Sequence, residues 1–384
     1  MDASLNWAGL RLDPLDTLFF RDGRPFDAPN RVAGGLPTPQ TLAGAIRTAL
    51  LARTGFNFAE FARRRKDDPL RLRAALNDSG PPECQPVFDA NFRGPWLALA
   101  GGDGKVEPLL PMPETLKRAK GDESRRSDAR WSVAKPDKAV PGWQSPCGLR
   151  PLWRKVPADP KADAEWLTLT GLKKFLTGNP EAIAPGTECV KRDELVAADH
   201  RIGIVIDRET LTSADGQLYA ISLLALKPRR KDGSEVCLYA ELHIPDTLAA
   251  LLDGALVPFG GEGKYVRVTK VREQDWPKYD SSAKHSMWYL ATPTFFAPDG
   301  PPLPKLGDQL IAAASGAGVP VSGWDVARNC PRPTRFAVPA GAMYFVDGPV
   351  DPNHFLSTTD NAESDTLRQE GWGYALPGHW EGLN

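Results

Sequence analysis

Thirty-seven prolines are scattered through the 384-residue chain, and they restrict what it can fold into more than any other feature. Proline has no amide proton for a ladder, and its ring clashes with the preceding turn inside a helix. Its share is roughly twice the ordinary ~5%. With 35 glycines alongside, the chain should have many turns and long, fixed loops. The clearest helix is PTPQTLAGAIRTALLART, residues 37–54. There Pro39 sits at the first helical position, where a missing N–H costs nothing, behind a capping Thr38. Leu42, Ala45, Ile46, Ala49 and Leu50 share one face, Arg47 borders it, and Gly55 stops the helix.

Around this helix the pattern is mostly extended. LNWAGLRL (5–12) reads as a strand with an irregularity near Gly9, ended by Asp13-Pro14. Asp22-Gly23 is a turn signal in DTLFFRDGRPF (16–26). Residues 56–195 show little regularity and read as a loop-rich insertion. RIGIVID (201–207), GQLYAISLLAL (216–226) and VCLYAELHI (236–244) are strands, the last two joined as a hairpin by KPRRKDG. Asp246 should cap a short helix carrying Leu248, Leu251 and Leu252, ended by Gly254. The loop FGGEGK (259–264) and the strand YVRVTKV (265–271) follow. Leaving out the insertion and the strand at 201–207, the order is β-α-β-β-α-β, that of a ferredoxin-like, RRM-type unit. Residues 273–384 form a second, degenerate unit. It has a strand at 288–296, a helix at 306–315, and a hairpin of TRFAVP with AMYFV turned at Pro339-Ala340-Gly341. The expected fold is α+β, with two ferredoxin-like units spanning 1–272 and 273–384 and the insertion 56–195 in the first.

Composition removes several functions. Forty-seven basic against 48 acidic residues give a net charge of −1, which excludes a uniformly basic coat while leaving room for a local basic groove. Apolar residues at 41% exclude global disorder. No apolar run approaches ~20 residues, so no membrane span is expected, and MDASLNWAGLRLDP does not read as a signal peptide. The five cysteines, at 84, 147, 189, 237 and 330, form no CxxC pair and suit reduced, mostly buried thiols of a cytoplasmic protein.

Four features could carry chemistry. In FGGEGKY (259–265), Gly260, Gly261 and Gly263 would let backbone N–H groups approach a phosphate, with Lys264 adding charge. Pro258 and Tyr265 exclude a Walker A loop, and a plain tight connection is the alternative reading. The histidines at 200, 243, 285, 354 and 379 show no metal-ligand spacing. His200, beside Arg201 at a strand start, could serve a metal-independent ribonuclease. GGDG (101–104) lacks the second acid of a two-metal site. Basic residues recur near aromatics: Arg21 and Arg24 among Phe19, Phe20 and Phe26; Lys227, Arg229, Arg230 and Lys231 at a turn; and Arg328, Arg332 and Arg335 among prolines. Such clusters fork to phosphates and stack on unpaired bases, although each alone reads as ordinary surface. The RNP1 strand of RRMs is missing, so loops and glycine backbone would hold any RNA.

These segments also carry a resemblance. PLDTLFFRDGRPF (14–26) is similar to the N-terminal signature of the third subunit of the Cmr complex, the type III-B CRISPR effector. PTPQTLAGAIRTALL (37–51) resembles the first helix of the RAMP superfamily, and FGGEGKYVRV (259–268) its glycine-rich loop. RIGIVIDRETLTSADGQLY (201–219), SGWDVARNCPRPTRFAVPAGAMYFV (322–346) and GWGYALPGHW (371–380) resemble further segments of that subunit, in the same order.

The resemblance implies two ferredoxin-like units that bind the 5′ repeat-derived handle of the guide crRNA. It implies docking to the large palm-domain subunit and to the backbone RAMP subunit, without catalysis and without metal or small-molecule cofactor. The implied RNA contacts are Arg21, Arg24, Arg47, Gly260, Gly261, Gly263 and Lys264, with Glu262 working against the loop's grip; His200 and Arg201 at the strand start are further RNA-binding candidates. The alternatives are a RAMP-type metal-independent guide-processing endoribonuclease, the equivalent type III-A subunit, and a structural bridge without RNA contact.

Overall fold

The computed structural model describes residues 5–20, 35–67, 72–120, 130–138, 141–145, 147–160, 165–206, 210, 212–296, 303–325, 330–356 and 362–382. Two antiparallel sheets organise them. The first strand, β1 (Leu5–Pro14), is followed by α1 (Pro39–Arg53). The Thr38 hydroxyl accepts from the Thr41 amide at 3.4 Å, and Gly55 leaves the helix at φ 79°, so both ends form as the sequence dictates. Leu42, Ile46 and Leu50 are fully buried. Each contributes roughly 1.5–3 kcal/mol by leaving water.

The remaining main-sheet strands are β2 (Asn91–Ala100), β3 (Val106–Pro111), β4 (Glu165–Thr168), β5 (Cys189–Lys191), β8 (Glu235–Pro245), β9 (Leu256–Pro258) and β10 (Tyr265–Val271). Between β5 and β8 lie β6 (Val196–Ile206) and β7 (Ser213–Leu226), which pair with each other as a separate ribbon. The sheet runs β9-β10-β1-β8-β2-β3-β4-β5. The register with β8 runs unbroken through Gly9, where pairing with β10 begins, so the expected irregularity is absent. A Cβ there would come within 2.5 Å of the Arg272 carbonyl, which is why the position is glycine.

Three further expectations for the first half fail. Residues 216–226 and 236–244 do not pair: β7 belongs to the ribbon, and β8 is sandwiched between β1 and β2. The segment 56–195 is not loop-rich, since it supplies β2 to β5, the helix α2 (Phe58–Asp67) and the helix α3 (Leu169–Leu176). Strand β2 lacks readable alternation because both of its faces are buried. Phe92, Leu97 and Leu99 pack towards α1, while Trp96, Ala98 and Ala100 pack towards the second sheet. A register shift between Tyr239 and Glu241 of β8, opposite Gly94, switches the facing parity. Asp246 does not cap the helix Asp246–Ala249. Its carboxylate instead accepts from Asn6 and Lys270. Within that segment Leu252 is buried and Leu251 is 40% exposed.

The second sheet comprises β11 (His285–Leu290), β12 (Leu310–Ala314), β13 (Met343–Asp347) and β14 (Ala375–His379), in the order β12-β13-β11-β14. Helix α4 (Ala362–Glu370) connects β13 to β14. The helix expected over 306–315 is a single 3-10 turn, Gly307–Gln309, and then strand β12. Leu310 and Ala312 go into the core as β12 pairs with β13. Five apolar residues in a row fit either period, and the free edge of β13 decides between them. The strand expected at 288–296 stops at Leu290, with Thr294 continuing only as an isolated bridge to Val338. The expected hairpin at Pro339-Ala340-Gly341 does not form either: Arg335–Ala337 pairs with Val319–Val321, and β13 pairs with β11 and β12.

The two sheets share a core. Trp96 donates its indole N–H to the Ala291 carbonyl at 2.7 Å, and the Tyr289 hydroxyl donates to the Pro111 carbonyl at 2.6 Å. One apolar cluster includes Trp96, Leu172, Tyr239, Tyr289 and Phe345, so it crosses from one sheet to the other. No helix among the described residues is long and apolar enough to cross a membrane, which says nothing of a β-barrel.

Candidate nucleic-acid interface

The loop between β9 and β10 is closed by the Phe259 amide donating to the Lys264 carbonyl at 2.8 Å. Gly260, Glu262 and Gly263 all have positive φ, at 84°, 57° and 61°. Glycine reaches this region freely, whereas a glutamate is strained there. Residues 260–263 are exposed. The amides of Gly260, Glu262 and Gly263 make no hydrogen bond among the described residues, and the Gly261 amide donates to the Phe19 carbonyl at 2.8 Å. A Cβ on Gly260 would collide with the same carbonyl and with the Phe20 ring. Successive outward N–H groups at positive φ form an anion-binding concavity.

The segment 15–20 ties this loop to the ribbon. Leu18 exchanges two 2.8 Å backbone hydrogen bonds with Leu224 of β7, and Phe20 lies edge-on to Phe259. Asp16 gathers two of the expected basic residues. Its Oδ2 accepts from Lys264 Nζ at 2.9 Å and lies 3.9 Å from the Arg201 guanidinium, which also pairs with Asp199 at 2.8 Å. The Lys264 hydrogen bond, followed by the Thr17 amide, holds the Asp16 carboxyl below its ordinary value. Lys264 is therefore engaged by a carboxylate, whereas the Gly260, Glu262 and Gly263 amides of its loop are open.

The fold thus brings together Gly260, Gly261, Gly263, Lys264 and Arg201. His200 is exposed on the same strand as Arg201, opposite Ser222, beside Ile202, which is 73% exposed. Arg47 stands apart. Its guanidinium donates to the Ala90 carbonyl at 3.0 Å and lies over the Phe92 ring, and its buried Nε has no partner among the described residues. Burial lowers its pKa. This is a clasp between α1 and the entry to β2. Arg21, Arg24 and the Asp22-Gly23 turn lie outside the described residues.

The other basic runs are largely neutralised. On α2, Arg63 and Arg64 pair with Glu60, whose carboxyl Arg63 pulls down to about 2. Arg230 is buried and bonds Glu194, Asp232 and the Gly186 carbonyl. It pins the turn 227–234, which leaves Lys227 and Lys231 exposed. GGDG is a hairpin turn between β2 and β3. Among the described residues no group of three His, Cys, Asp or Glu could hold a metal ion.

Sequence reasoning missed the buried centre at Glu241. Its carboxylate accepts from the Tyr239 hydroxyl at 2.8 Å, the Gln274 amide at 2.8 Å, the Trp276 indole at 2.9 Å and Arg93 at 3.2 Å. Arg93 is clamped between the Trp7 and Tyr374 rings, 3.7 and 4.7 Å from their centroids. The hint in the sequence is a glutamate directly after the apolar run 236–240 of β8. The donors come from β2 (Arg93), β8 (Tyr239) and the segment after β10 (Gln274, Trp276), so the carboxylate ties these three together.

A family model described as CRISPR-associated protein (Cas_Cmr3) matches residues 10–380. The chain belongs to the Cas_Cmr3 family. The expected likeness to a subunit of the type III-B CRISPR effector is thereby borne out. No curated protein sequence matches. Among solved structures, the chain is similar to one in the "Cryo-EM structure of the Type III-B Cmr-beta bound to cognate target RNA and AMPPnP, state 1". The identity is 17%, coverage is 88% of this chain and 86% of that one, and the TM-score is 0.49. It is also similar to a chain of the "Crystal structure of Csm3-Csm4 subcomplex in the type III-A CRISPR-Cas interference complex". There the identity is 12%, coverage is 89% and 98%, and the TM-score is 0.38.

Proposed function

We propose that this Cas_Cmr3-family protein is a non-catalytic RAMP subunit that binds the 5′ handle of the guide crRNA. In this reading it docks the large palm-domain subunit and the backbone RAMP subunit of a type III-B complex in antiviral defence. The observation that carries the reading is the exposed 260–263 loop, with three unengaged amides braced against Phe19 and Phe20. Backbone amides suit a short strand held by its phosphates and need no net positive charge. Arg201 would add charge at the loop's margin, and Arg21 and Arg24, one and four positions after Phe20 in the sequence, are further candidate contacts. The strand order supports two ferredoxin-like units, over 1–272 and 273–384. β10-β1-β8-β2 and β14-β11-β13-β12 each run fourth-first-third-second, with antiparallel neighbours. Among the described residues, the segment between β11 and β12 holds only the 3-10 turn Gly307–Gln309 in place of a first helix.

The test is a gel shift with guide RNA carrying its 5′ handle or a scrambled handle, in EDTA and in Mg²⁺, with denaturing gels from the same tubes. A handle-dependent shift with intact RNA is expected. It should weaken in Arg21→Ala/Arg24→Ala and in Gly261→Glu. Metal-independent cleavage near the handle would overturn the reading in favour of a guide-processing ribonuclease. Neither shift nor cleavage, alone or with the partner subunits, would reduce the protein to a structural bridge.

A further inference from the structure

Strand β10 sends Val266 and Val268 into the core beneath α1 and turns Tyr265 and Arg267 to the opposite face, where both are exposed. Tyr239 of β8 lies on that same face and is buried there against the second sheet. At the β9–β10 end the cover stops. Tyr265 is 44% exposed, beside Leu256 at 46% and Leu15 at 55%. Across from β10, Pro258 pairs with Tyr265 and Leu256 with Arg267, and the Leu15 amide donates to the Tyr265 carbonyl at 3.1 Å. The backbone of Tyr265 is thus held from both sides. Its hydroxyl makes no hydrogen bond among the described residues, and Arg267 makes no ion pair among them. The carboxylate opposite Arg267, that of Asp13, is held by Arg11 at 2.8 Å.

A free ring and a free guanidinium beside open amides suit a ligand that alternates flat rings with anions. Tyr265 stands two residues beyond Gly263, at most ~7 Å of chain. A phosphate on the loop amides and the base of the same nucleotide on the ring are therefore within reach of one another. Every base has a π-face, so an exposed tyrosine can stack on any of them. Arg267, two residues further along the same face, presents a planar fork that matches a phosphate. An added protein strand fits less well. The free edge β9 has three residues and ends in Pro258, which has no amide proton to offer.

We infer that Tyr265 is a base-stacking platform for single-stranded RNA, with Arg267 meeting a neighbouring phosphate, so that the outer face of β10 continues the 260–263 loop. The inference rests on the reading of that loop as an RNA interface, but its dependence on the ring is measured apart from the preference for the handle.

The experiment is fluorescence anisotropy of the full chain with a labelled guide-RNA handle and with a scrambled strand of the same length. Wild type is compared with Tyr265→Phe, Tyr265→Leu and Arg267→Ala, each first checked for folding by a thermal melt. Tyr265→Leu keeps apolar area and loses the ring. It should weaken binding about tenfold, the worth of one stacked base, with the salt dependence unchanged. Tyr265→Phe should bind as wild type does. Arg267→Ala should weaken binding and lower the log–log salt slope by ~0.7. Removing the handle's bases one at a time should weaken wild type at the stacked position and cost Tyr265→Leu nothing there, whereas exchanging that base for another should change little. This scan on wild type decides the matter even if a variant fails to fold. Wild-type affinity in Tyr265→Leu, with handle-dependent binding intact, would overturn this inference alone and leave the face to a protein partner. Equal loss in Tyr265→Phe and Tyr265→Leu would overturn stacking in favour of a contact through the hydroxyl. Equal binding of handle and scrambled strand, both weakened in Tyr265→Leu, would remove only the handle reading. Binding of neither strand would remove both.

Discussion

The Nζ of Lys264 lies 2.9 Å from Oδ2 of Asp16, so the lysine of the glycine loop is neutralised by a residue 248 positions earlier. The contact locks the loop to the segment that also bonds the β6–β7 ribbon through Leu18. In the proposed handle-binding reading, it leaves phosphate contacts to the Gly260, Glu262 and Gly263 amides.

Freeing that lysine should strengthen RNA binding. Asp16→Asn removes a negative charge beside both Lys264 and Arg201 and returns about one cation to the interface. Handle RNA should bind more tightly, and the log–log salt dependence should steepen by ~0.7 for the extra phosphate contact. Fluorescence anisotropy between 50 and ~300 mM salt checks both. An unchanged slope would mean that Lys264 stays out of the interface. Because the Asp16 carboxyl is depressed in the folded protein, the pair's small stabilisation is present above the ordinary value of 3.8. It is lost as pH falls through the lower folded value.

Glu262 is the non-glycine residue of the loop at positive φ, 57°. Glu262→Gly relieves left-handed strain of ~1 kcal/mol and removes a carboxylate from the proposed RNA-binding loop. Urea unfolding should show a higher midpoint, and the handle RNA should bind more tightly. Gly260→Ala should do the opposite, because its Cβ meets the Phe19 carbonyl.

Truncating Glu241 should be among the costliest single changes. Glu241→Ala leaves Arg93, the Trp276 indole and the Gln274 amide without their acceptor at the seam of the two sheets. Removing one partner of a buried ion pair costs ~3–5 kcal/mol. Glu241→Gln keeps a carbonyl oxygen and should lose less. Equilibrium urea denaturation, followed by tryptophan fluorescence, reports both.

Thiol reactivity should sort the cysteines. Cys147 is exposed, whereas Cys84, Cys189 and Cys237 are buried. Burial pushes the Cys237 thiol up to about 12. At pH 8, Ellman's reagent should label Cys147 quickly and these three only on unfolding, with sites assigned by mass spectrometry. The folded state keeps the Cys237 proton that the unfolded chain releases from its ordinary value of 9.0 upward. This residue's contribution to stability should therefore fall as pH rises from about 9 towards 12.

Local chemistry determined a good deal of this protein. The Thr38 cap, the Pro39 start and the Leu42–Ile46–Leu50 stripe specify α1 whatever surrounds it. Alternation on one face specifies β1 and β10, and glycine chemistry specifies the turn at 259–264. The segments resembling the Cmr subunit hold across the family match. Tertiary structure decided the rest, because pairing partners and second faces leave no local mark. Strand β2 is buried on both sides, so its sequence shows no period. β12 is a strand because β13 has an open edge, and 216–226 leaves the main sheet because Val196–Ile206 captures it. Arg47, readable as a surface cation, became a clasp under Phe92. Lys264, readable as a phosphate ligand, met Asp16. Tyr239 and Tyr265 share one sheet face, and only the packing of the second sheet against one end of it decided that Tyr239 is buried and Tyr265 exposed.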